Sequence, residues 1–385
     1  MVDPRSFTDR DLSRVAAELV AAHRGARVTL RDAELLKDRE RNVVVRYGVD
    51  GALGVDSVVV KWIREQAALG FTDWASIEYL SSTPAAPLVP RFYAGDAEAG
   101  VFAMQDLGGS RSVDDLLRGP SRADAEHALV ALAAQYGRLH AATIGDAAAY
   151  DWRRARLPGA PGPERRAEAE RWVAGGPALC RWLTAVGCAV PAGLDECLRY
   201  VAALYAAPGP FLAFTHGDPA PSNTHVPVGT GAGGGAVRLL DFEYGAFRHA
   251  LYDLAAWFVL CPLPERVVQP MVGAYRAELA PACPAAGDDE RWRDEWAAMC
   301  AYRAVAMLTW LPPAILEADR PWVEQWTMRQ AVLATATRLR AAAGDGPLTP
   351  LATAAVRLQG ALSARWPELG EGEAVLPRWP ALAGR

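Results

Sequence analysis

The sequence predicts an α+β chain of two lobes: a small β-rich N-terminal lobe over residues 1–107 and a larger, mostly α-helical C-terminal lobe over 108–385. Three observations predict it. β-Branched runs crowd the first hundred residues, long amphipathic patterns fill the rest, and Gly108-Gly109 marks the change from one to the other. Length agrees, since 385 residues suit two or three domains of roughly 100–200 residues, or one bilobal enzyme fold.

Composition narrows the function. Forty basic side chains against 45 acidic ones give a net charge of -5, the wrong balance for a phosphate-neutralising nucleic-acid binder. Apolar residues at 51% and charged residues at 22% are those of a globular chain rather than a disordered one. No apolar run reaches the roughly 20 residues of a membrane span; the best, 251–263, is short and carries Asp253. The first five residues lack an apolar signal core, so export is not expected. The six cysteines form no Cys-x-x-Cys pair and are expected to be reduced. A cytoplasmic protein, monomeric or homodimeric, is the expectation. The basic set is lopsided: only Lys37 and Lys61 are lysines, and Asn42 and Asn223 are the only asparagines.

Element by element, residues 6–24 place Leu12, Val15, Ala16, Leu19 and Val20 on one helical face, with Thr8 or Asp9 as cap. Residues 42–47 and 57–63 are β-branched runs on either side of a turn at 48–54, which predicts an antiparallel hairpin. A helix over 72–80, capped by Thr72 or Asp73, follows, and then strands over 89–93 and 100–105. The second lobe should hold helices over 123–142, 167–183 and 194–205, with a Pro/Gly loop at 157–163. Short strands at 211–215 and 237–242 interrupt the helices, which resume from 252 and include 295–311 and 321–342. Roughly the last fifteen residues are punctuated by Pro and Gly and are expected to pack loosely.

The densest chemistry lies in Phe214-Thr-His-Gly-Asp-Pro-Ala-Pro-Ser-Asn223, followed by Arg238-Leu-Leu-Asp-Phe-Glu243. One strand ends at a His-Gly-Asp turn, an asparagine comes five residues after the aspartate, and a second strand ends in Asp-Phe-Glu. This pair resembles the catalytic loop and metal element of the aminoglycoside phosphotransferase/choline kinase branch of the protein-kinase-like superfamily. That branch shows His-Gly-Asp-x4-Asn where protein kinases show His-Arg-Asp, and often Asp-[Phe/Trp]-Glu where they show Asp-Phe-Gly.

The resemblance implies a bilobal protein-kinase-like fold and a small-molecule O-phosphotransferase. Such an enzyme moves the γ-phosphate of ATP or GTP, with Mg²⁺, to a hydroxyl of an antibiotic-like acceptor (aminoglycoside, macrolide or nucleoside). Phosphoryl transfer passes through a loose transition state, so positioning and charge neutralisation carry catalysis. The resemblance makes Asp218 the base, and Asn223 and Asp241 oxygen ligands for Mg²⁺. Lys61, in Val-Val-Val-Lys on the second strand, becomes the phosphate clamp and Glu78 on the next helix its ion-pair partner; Glu65 sits on the wrong element. Gln105 and Leu107 belong to an interlobe hinge that offers backbone groups to a purine. Asn42 matches an asparagine that members often carry just after the nucleotide loop. In a chain that uses arginine almost everywhere, a lysine at 61 and an asparagine at 223 are choices rather than accidents, because ammonium and guanidinium differ in reach and geometry. Lys37 has no role in this reading.

The sequence also departs from the family. Residues 37–42, where a glycine-rich loop is expected, contain no glycine, so backbone amides approach phosphate less freely; Arg39 or Arg41 could contact phosphate instead. The glycine run at 229–235 reads as a hairpin tip between the two motifs, not a phosphate cradle. Other readings stand beside this one. His216, Asp218 and His225 could be metallohydrolase ligands, although His216 and Asp253 fit structural roles in bracing the loop better, and His140 fits packing. Residues 296–310 read as helix core, and Asp288, Asp289, Glu290, Asp294 and Glu295 as a solvated face that could draw a cationic acceptor. A metabolic kinase of an amino alcohol or sugar is the alternative function, and an inactive nucleotide-binding module a third.

Overall fold

The computed structural model describes residues 9–51, 54–159, 165–175, 177–227, 237–323, 326–344, 346–370, 372–377 and 379–383. The glycine run at 229–235, the Thr8 cap and most of the loop at 157–163 therefore lie outside the described residues. The N-terminal region is a five-stranded antiparallel sheet in the order β1-β2-β3-β5-β4, where β1 is Thr29–Asp38, β2 Asn42–Asp50, β3 Ser57–Ile63, β4 Phe92–Asp96 and β5 Val101–Gln105. The expected hairpin is β2–β3, and its register sets Lys61 opposite Val44 and Phe102. Strand β1 is not among the strands the sequence predicts: its burial pattern is almost wholly exposed, so it has no alternation to read. Helix α1, Asp9–Arg24, turns Leu12, Val15, Ala16 and Val20 onto one side of the sheet, against Val43, Val45, Val58, Val60 and Trp62.

Helix α2, Ala67–Leu80, starts five residues before the expected site, so Thr72 and Asp73 lie inside it rather than capping it. Gly70 disguises this start. A β-carbon at Gly70 would lie 2.6 Å from Ile63, so the residue is glycine because β3 presses against the helix there. With Phe71, Trp74 and Ile77, α2 joins the larger core that continues into the second region.

That second region is helical, with Arg122–Ala141, Leu194–Ala206, Leu251–Val259, Asp289–Trp310 and Met328–Ala343 among its helices. The helix expected over 167–183 is helical on both sides of residue 176, which lies outside the described residues, as Arg165–Gly175 and Pro177–Ala185. Pro321–Val323 and Trp326–Thr327 are short strands rather than a helix start. The C-terminal stretch does not pack loosely: Trp366, Val375, Leu376, Ala381 and Leu382 are buried in the main core, which apolar anchors between the Pro and Gly residues allow. No helix among the described residues is long and apolar enough to cross a membrane.

Candidate active site

Two small sheets set the His-Gly-Asp turn. Strand 212–215 pairs antiparallel with 246–249, and 224–227 pairs with 238–239, so both motifs emerge side by side. Gly217 has φ 84°, and a β-carbon there would sit 2.2 Å from the Tyr244 carbonyl oxygen; only glycine fits. Asp253, fully buried in the first turn of helix 251–259, accepts from the His216 amide at 2.6 Å and the Gly217 amide at 3.0 Å. His140 Nε2 lies 3.2 Å from the same carboxylate. Burial pushes the Asp253 pKa up, but the His140 hydrogen bond and the charges around it prevail and hold it below its ordinary value. The His216 ring bonds the Leu240 carbonyl through Nε2 at 2.8 Å, tying the first motif to the second. His140, His216 and Asp253 are thus scaffold, as their sequence context suggested.

Asp218 is half-buried at the end of this turn. Asn223 donates through Nδ2 to the Asp218 carbonyl at 3.1 Å and to its carboxylate at 3.2 Å, leaving Oδ1 to offer elsewhere. The Asn223 carbonyl in turn accepts from the Leu240 amide at 3.0 Å. One residue therefore spans from Asp218 to the neighbour of Asp241.

Asp241 sits in the left-handed region at φ 63°, a strained conformation for a non-glycine residue that the surrounding bonds must hold. Its Oδ1 is 3.1 Å from Lys61 Nζ and its Oδ2 3.3 Å from Lys37 Nζ. Both lysines of the chain thus meet one carboxylate. Burial would raise the Asp241 pKa, but Lys61 and then Lys37 outweigh it and hold the group down at about 2. Burial would lower that of Lys61, yet Asp73 and Asp241 together raise it well above its ordinary value.

The partner of Lys61 is a correction to the sequence reading. Lys61 pairs with Asp73 at 2.7 Å, and both are buried; the other Asp73 oxygen accepts from the Phe242 amide at 2.8 Å. Glu78 instead meets Arg156 at 3.1 Å and the Trp74 indole at 3.1 Å. Five residues along a helix is about 500° of rotation, roughly 140° round from Asp73, so the two carboxylates cannot face the same strand. Because α2 begins at Ala67 rather than at 72, Asp73 lies in its second turn, where it faces Lys61 instead of capping the helix.

Lys61, Asp73, Gln105, Leu107 and Asp241 line a cleft of about 240 Å³ beside the sheet, as do Lys37, Met104, Asp106 and His225. Asn42 is not on its wall; it is buried at the β1–β2 turn, where Arg39 and Asn42 exchange backbone hydrogen bonds at 2.9 and 3.2 Å. That tight turn is what replaces the glycine-rich loop. Arg41 pairs with Glu243 at 3.1 Å and Arg39 is exposed, so Lys37 is the cation this hairpin lends to the cleft. A second cavity, about 370 Å³, opens on the other side of Asp218, between it and Trp257, Arg303, Trp310 and Trp326. Part of the 296–310 helix read as core therefore faces this cavity. Asp289 pairs with Arg276 and Glu295 with His249, so those acids have partners in the fold. No group of three His, Cys, Asp or Glu side chains among the described residues could hold a metal, so His216, Asp218 and His225 do not gather as a metallohydrolase site.

Residues 57–284 match the model of the phosphotransferase enzyme family, well over half of the chain. The chain belongs to the phosphotransferase enzyme family. The match contains β3, α2 and the segments that carry Asp218, Asn223 and Asp241, whereas Lys37, Asn42 and the cavity residues from Arg303 onward lie outside it. It bears out the expected enzyme class, a phosphotransferase with an alcohol acceptor, on the α+β architecture of β-rich and helical regions. No curated protein sequence matches this phosphotransferase. Among solved structures it is similar to choline kinase LicA from Streptococcus pneumoniae, with 13% identity over 84% of this chain and 94% of that one and a TM-score of 0.41. It is similar to an ethanolamine kinase from Plasmodium vivax, with 13% identity over 81% and 82% and a TM-score of 0.43. A third is the ternary complex of streptomycin, ATP and APH(2")-IIa, with 11% identity over 73% and 86% and a TM-score of 0.42.

Proposed function

We propose that the enzyme transfers the γ-phosphate of ATP or GTP to a hydroxyl of an antibiotic-like small molecule and so inactivates it. In this reading residues 1–107 form the nucleotide-binding lobe and 108–385 the catalytic and acceptor-binding lobe, working in the cytoplasm. The observation that carries it is the bridge made by Asn223, which joins Asp218 on the acceptor cavity to the segment of Asp241 on the nucleotide cleft. Acceptor and phosphate then meet across a single side chain, as in-line transfer requires.

Asp218 orients the acceptor hydroxyl and takes its proton. The acceptor oxygen bonds to the γ-phosphorus, the bond from that phosphorus to the β-phosphate oxygen breaks, and the nucleoside diphosphate leaves. Lys61, fixed by Asp73, and Lys37 hold phosphate oxygens from the sheet side. Segment 104–107, with Gln105 and Leu107, borders the base, and Asn42 shapes the turn that aims Lys37. Asp241 and the Asn223 Oδ1 offer only oxygen, the donor type a hard Mg²⁺ takes from one or two protein groups plus substrate phosphates. The two ammonium groups on Asp241 support reading this carboxylate as one that faces cations. When bound, Mg²⁺ would neutralise phosphate charge there.

The test is transfer of labelled phosphate from ATP or GTP, with Mg²⁺, to a panel of hydroxylated antibiotics, amino alcohols and sugars. A labelled antibiotic is the expected result. Labelling confined to an amino alcohol or sugar would replace the proposal with a metabolic kinase, and no nucleotide binding at all would overturn both. Asp218→Asn should lower kcat about 10²–10⁴-fold while nucleotide still binds; a fully active variant would remove Asp218 from its role.

A further inference from the structure

The cavity beside Asp218 carries hydrogen-bonding capacity and charge that the described residues leave unmatched. Five tryptophans border it: Trp257, Trp310, Trp322, Trp326 and Trp379. Trp326 donates to the Val375 carbonyl at 2.8 Å. Among the described residues, Trp257, only 2% exposed, has no acceptor for its buried Nε1–H, and neither does Trp379. Arg303, 6% exposed, lays its guanidinium over the Tyr252 ring at 4.2 Å, has no carboxylate partner among the described residues and leaves its buried Nε–H unbonded. Arg118, which also lines the cavity, is held by Asp114 at 2.7 Å. A buried donor without an acceptor, and still more a buried charge without a counterpart, is costly enough that folds seldom retain it unless something fills the gap.

We propose that the acceptor is a hydroxyl compound with a broad apolar, ring-bearing body and an oxygen group, a carboxylate or a polarised carbonyl, that lands on Arg303 and the two unmatched indole N–H groups. It is not a polycation. The proposal rests on the phosphotransferase reading of Asp218 and narrows its substrate. Flat indole walls favour rings, and the unmatched groups are all donors, so their complement is an acceptor-rich ligand. An ammonium group could gain from the indole faces, but in this cavity it would sit near an unneutralised guanidinium, with Asp114 already taken by Arg118. Asp218 would then be the one open carboxylate among the described residues of the lining, and it must face the reacting hydroxyl.

A matched series tests this by isothermal titration calorimetry: 6-(hydroxymethyl)-2-naphthoate, its methyl ester and the corresponding aminomethyl alcohol, with kanamycin as a polycation. The carboxylate and ester should bind at least about tenfold more tightly than the amine, and kanamycin should not compete. Arg303→Met should weaken the carboxylate about tenfold, and Arg303→Lys should restore part of it. Trp257→Phe, which keeps the ring and removes the donor, should weaken the ester. An amine or kanamycin that binds as tightly as the carboxylate, or a naphthalene series that does not bind at millimolar concentration, would overturn the proposal; should Arg303→Met fail to fold, the wild-type order and Trp257→Phe still decide. ATP with Mg²⁺ is titrated in parallel. If ATP binds and the order reverses, this proposal falls alone; if the order holds and ATP does not bind, the phosphotransferase reading falls instead.

Discussion

At Asp241 two ammonium groups converge, from β3 through Lys61 and from β1 through Lys37, and their surroundings predict different roles. Lys61 is 4% exposed and locked to Asp73, so it is a fixed charge. The Lys37 side chain is 38% exposed and free to follow a phosphate. Lys61→Met should cost about 10²-fold in kcat, comparable to losing one preorganised electrostatic contact. Lys37→Met should chiefly raise the nucleotide KM, by about fivefold, because an exposed ion contact is worth only about 1 kcal/mol. Steady-state kinetics against nucleotide separates the two, and equal effects on kcat would refute the distinction. The same logic ranks the carboxylates of α2. Asp73→Asn should cut kcat at least about tenfold, since a buried partner of a charge is expensive to lose, whereas Glu78→Gln at its partly exposed pair with Arg156 should stay within about twofold. Scarcity of lysine in the sequence marks Lys37 as much as Lys61, and both reach Asp241.

Elements were legible where side-chain pattern and burial coincide. Strands β2 and β3 announce themselves because their β-branched residues are core residues, and the His-Gly-Asp turn because its chemistry is bound to a fixed spacing. Strand β1 was hidden because it is an exposed edge, where burial imposes no alternation. The start of α2 was hidden because Gly70, a residue that normally weakens a helix, is there to let Ile63 approach. A helix read as starting at 72 makes Asp73 a cap and leaves Glu78 as the carboxylate for Lys61, whereas the helix from Ala67 sets Asp73 against Lys61. The cavity beside Asp218 could not be read from the sequence, since its walls come from positions 114, 218, 257, 303 and 379, which only tertiary structure brings together. Gly217 is the element-scale test of the legible part. Gly217→Ala would force a side chain into φ 84° and against the Tyr244 carbonyl, so a destabilisation of about 3 kcal/mol is expected. Calorimetric melting and phosphate transfer measured together should both fall; a variant as stable and active as the parent would show that the turn is not held as described.

Across the whole molecule, the cluster of Lys37, Lys61, Asp73 and Asp241 ties the five-stranded sheet and α2 to the helical region that carries Asp241. It therefore links protonation to the stability of the assembled chain. Asp241 falls from an ordinary 3.8 to about 2 in the fold, against the opposing pull of burial, because Lys61 and Lys37 favour its charged form. At about 1.4 kcal/mol per pH unit this is a contribution of about 2 kcal/mol. Its folded pKa is the lower one, so the contribution is complete above about pH 4 and is lost as pH falls through about 2. Lys61 has the opposite sign. Burial disfavours its charge, but Asp73 and Asp241 leave its folded pKa above the ordinary 10.5, so its contribution is complete below that value and is lost only at more alkaline pH. Between these limits the cluster's contribution should not change with pH. Denaturant unfolding of the parent and of Asp241→Asn, followed from pH 7 down to pH 2, should show a gap of about 2 kcal/mol that stays constant to about pH 4 and then closes. A gap that widens on acidification, or one that already varies between pH 5 and pH 7, would mean that Asp241 is not held ionised by the two lysines, and the electrostatic link between sheet and helices would have to be sought elsewhere.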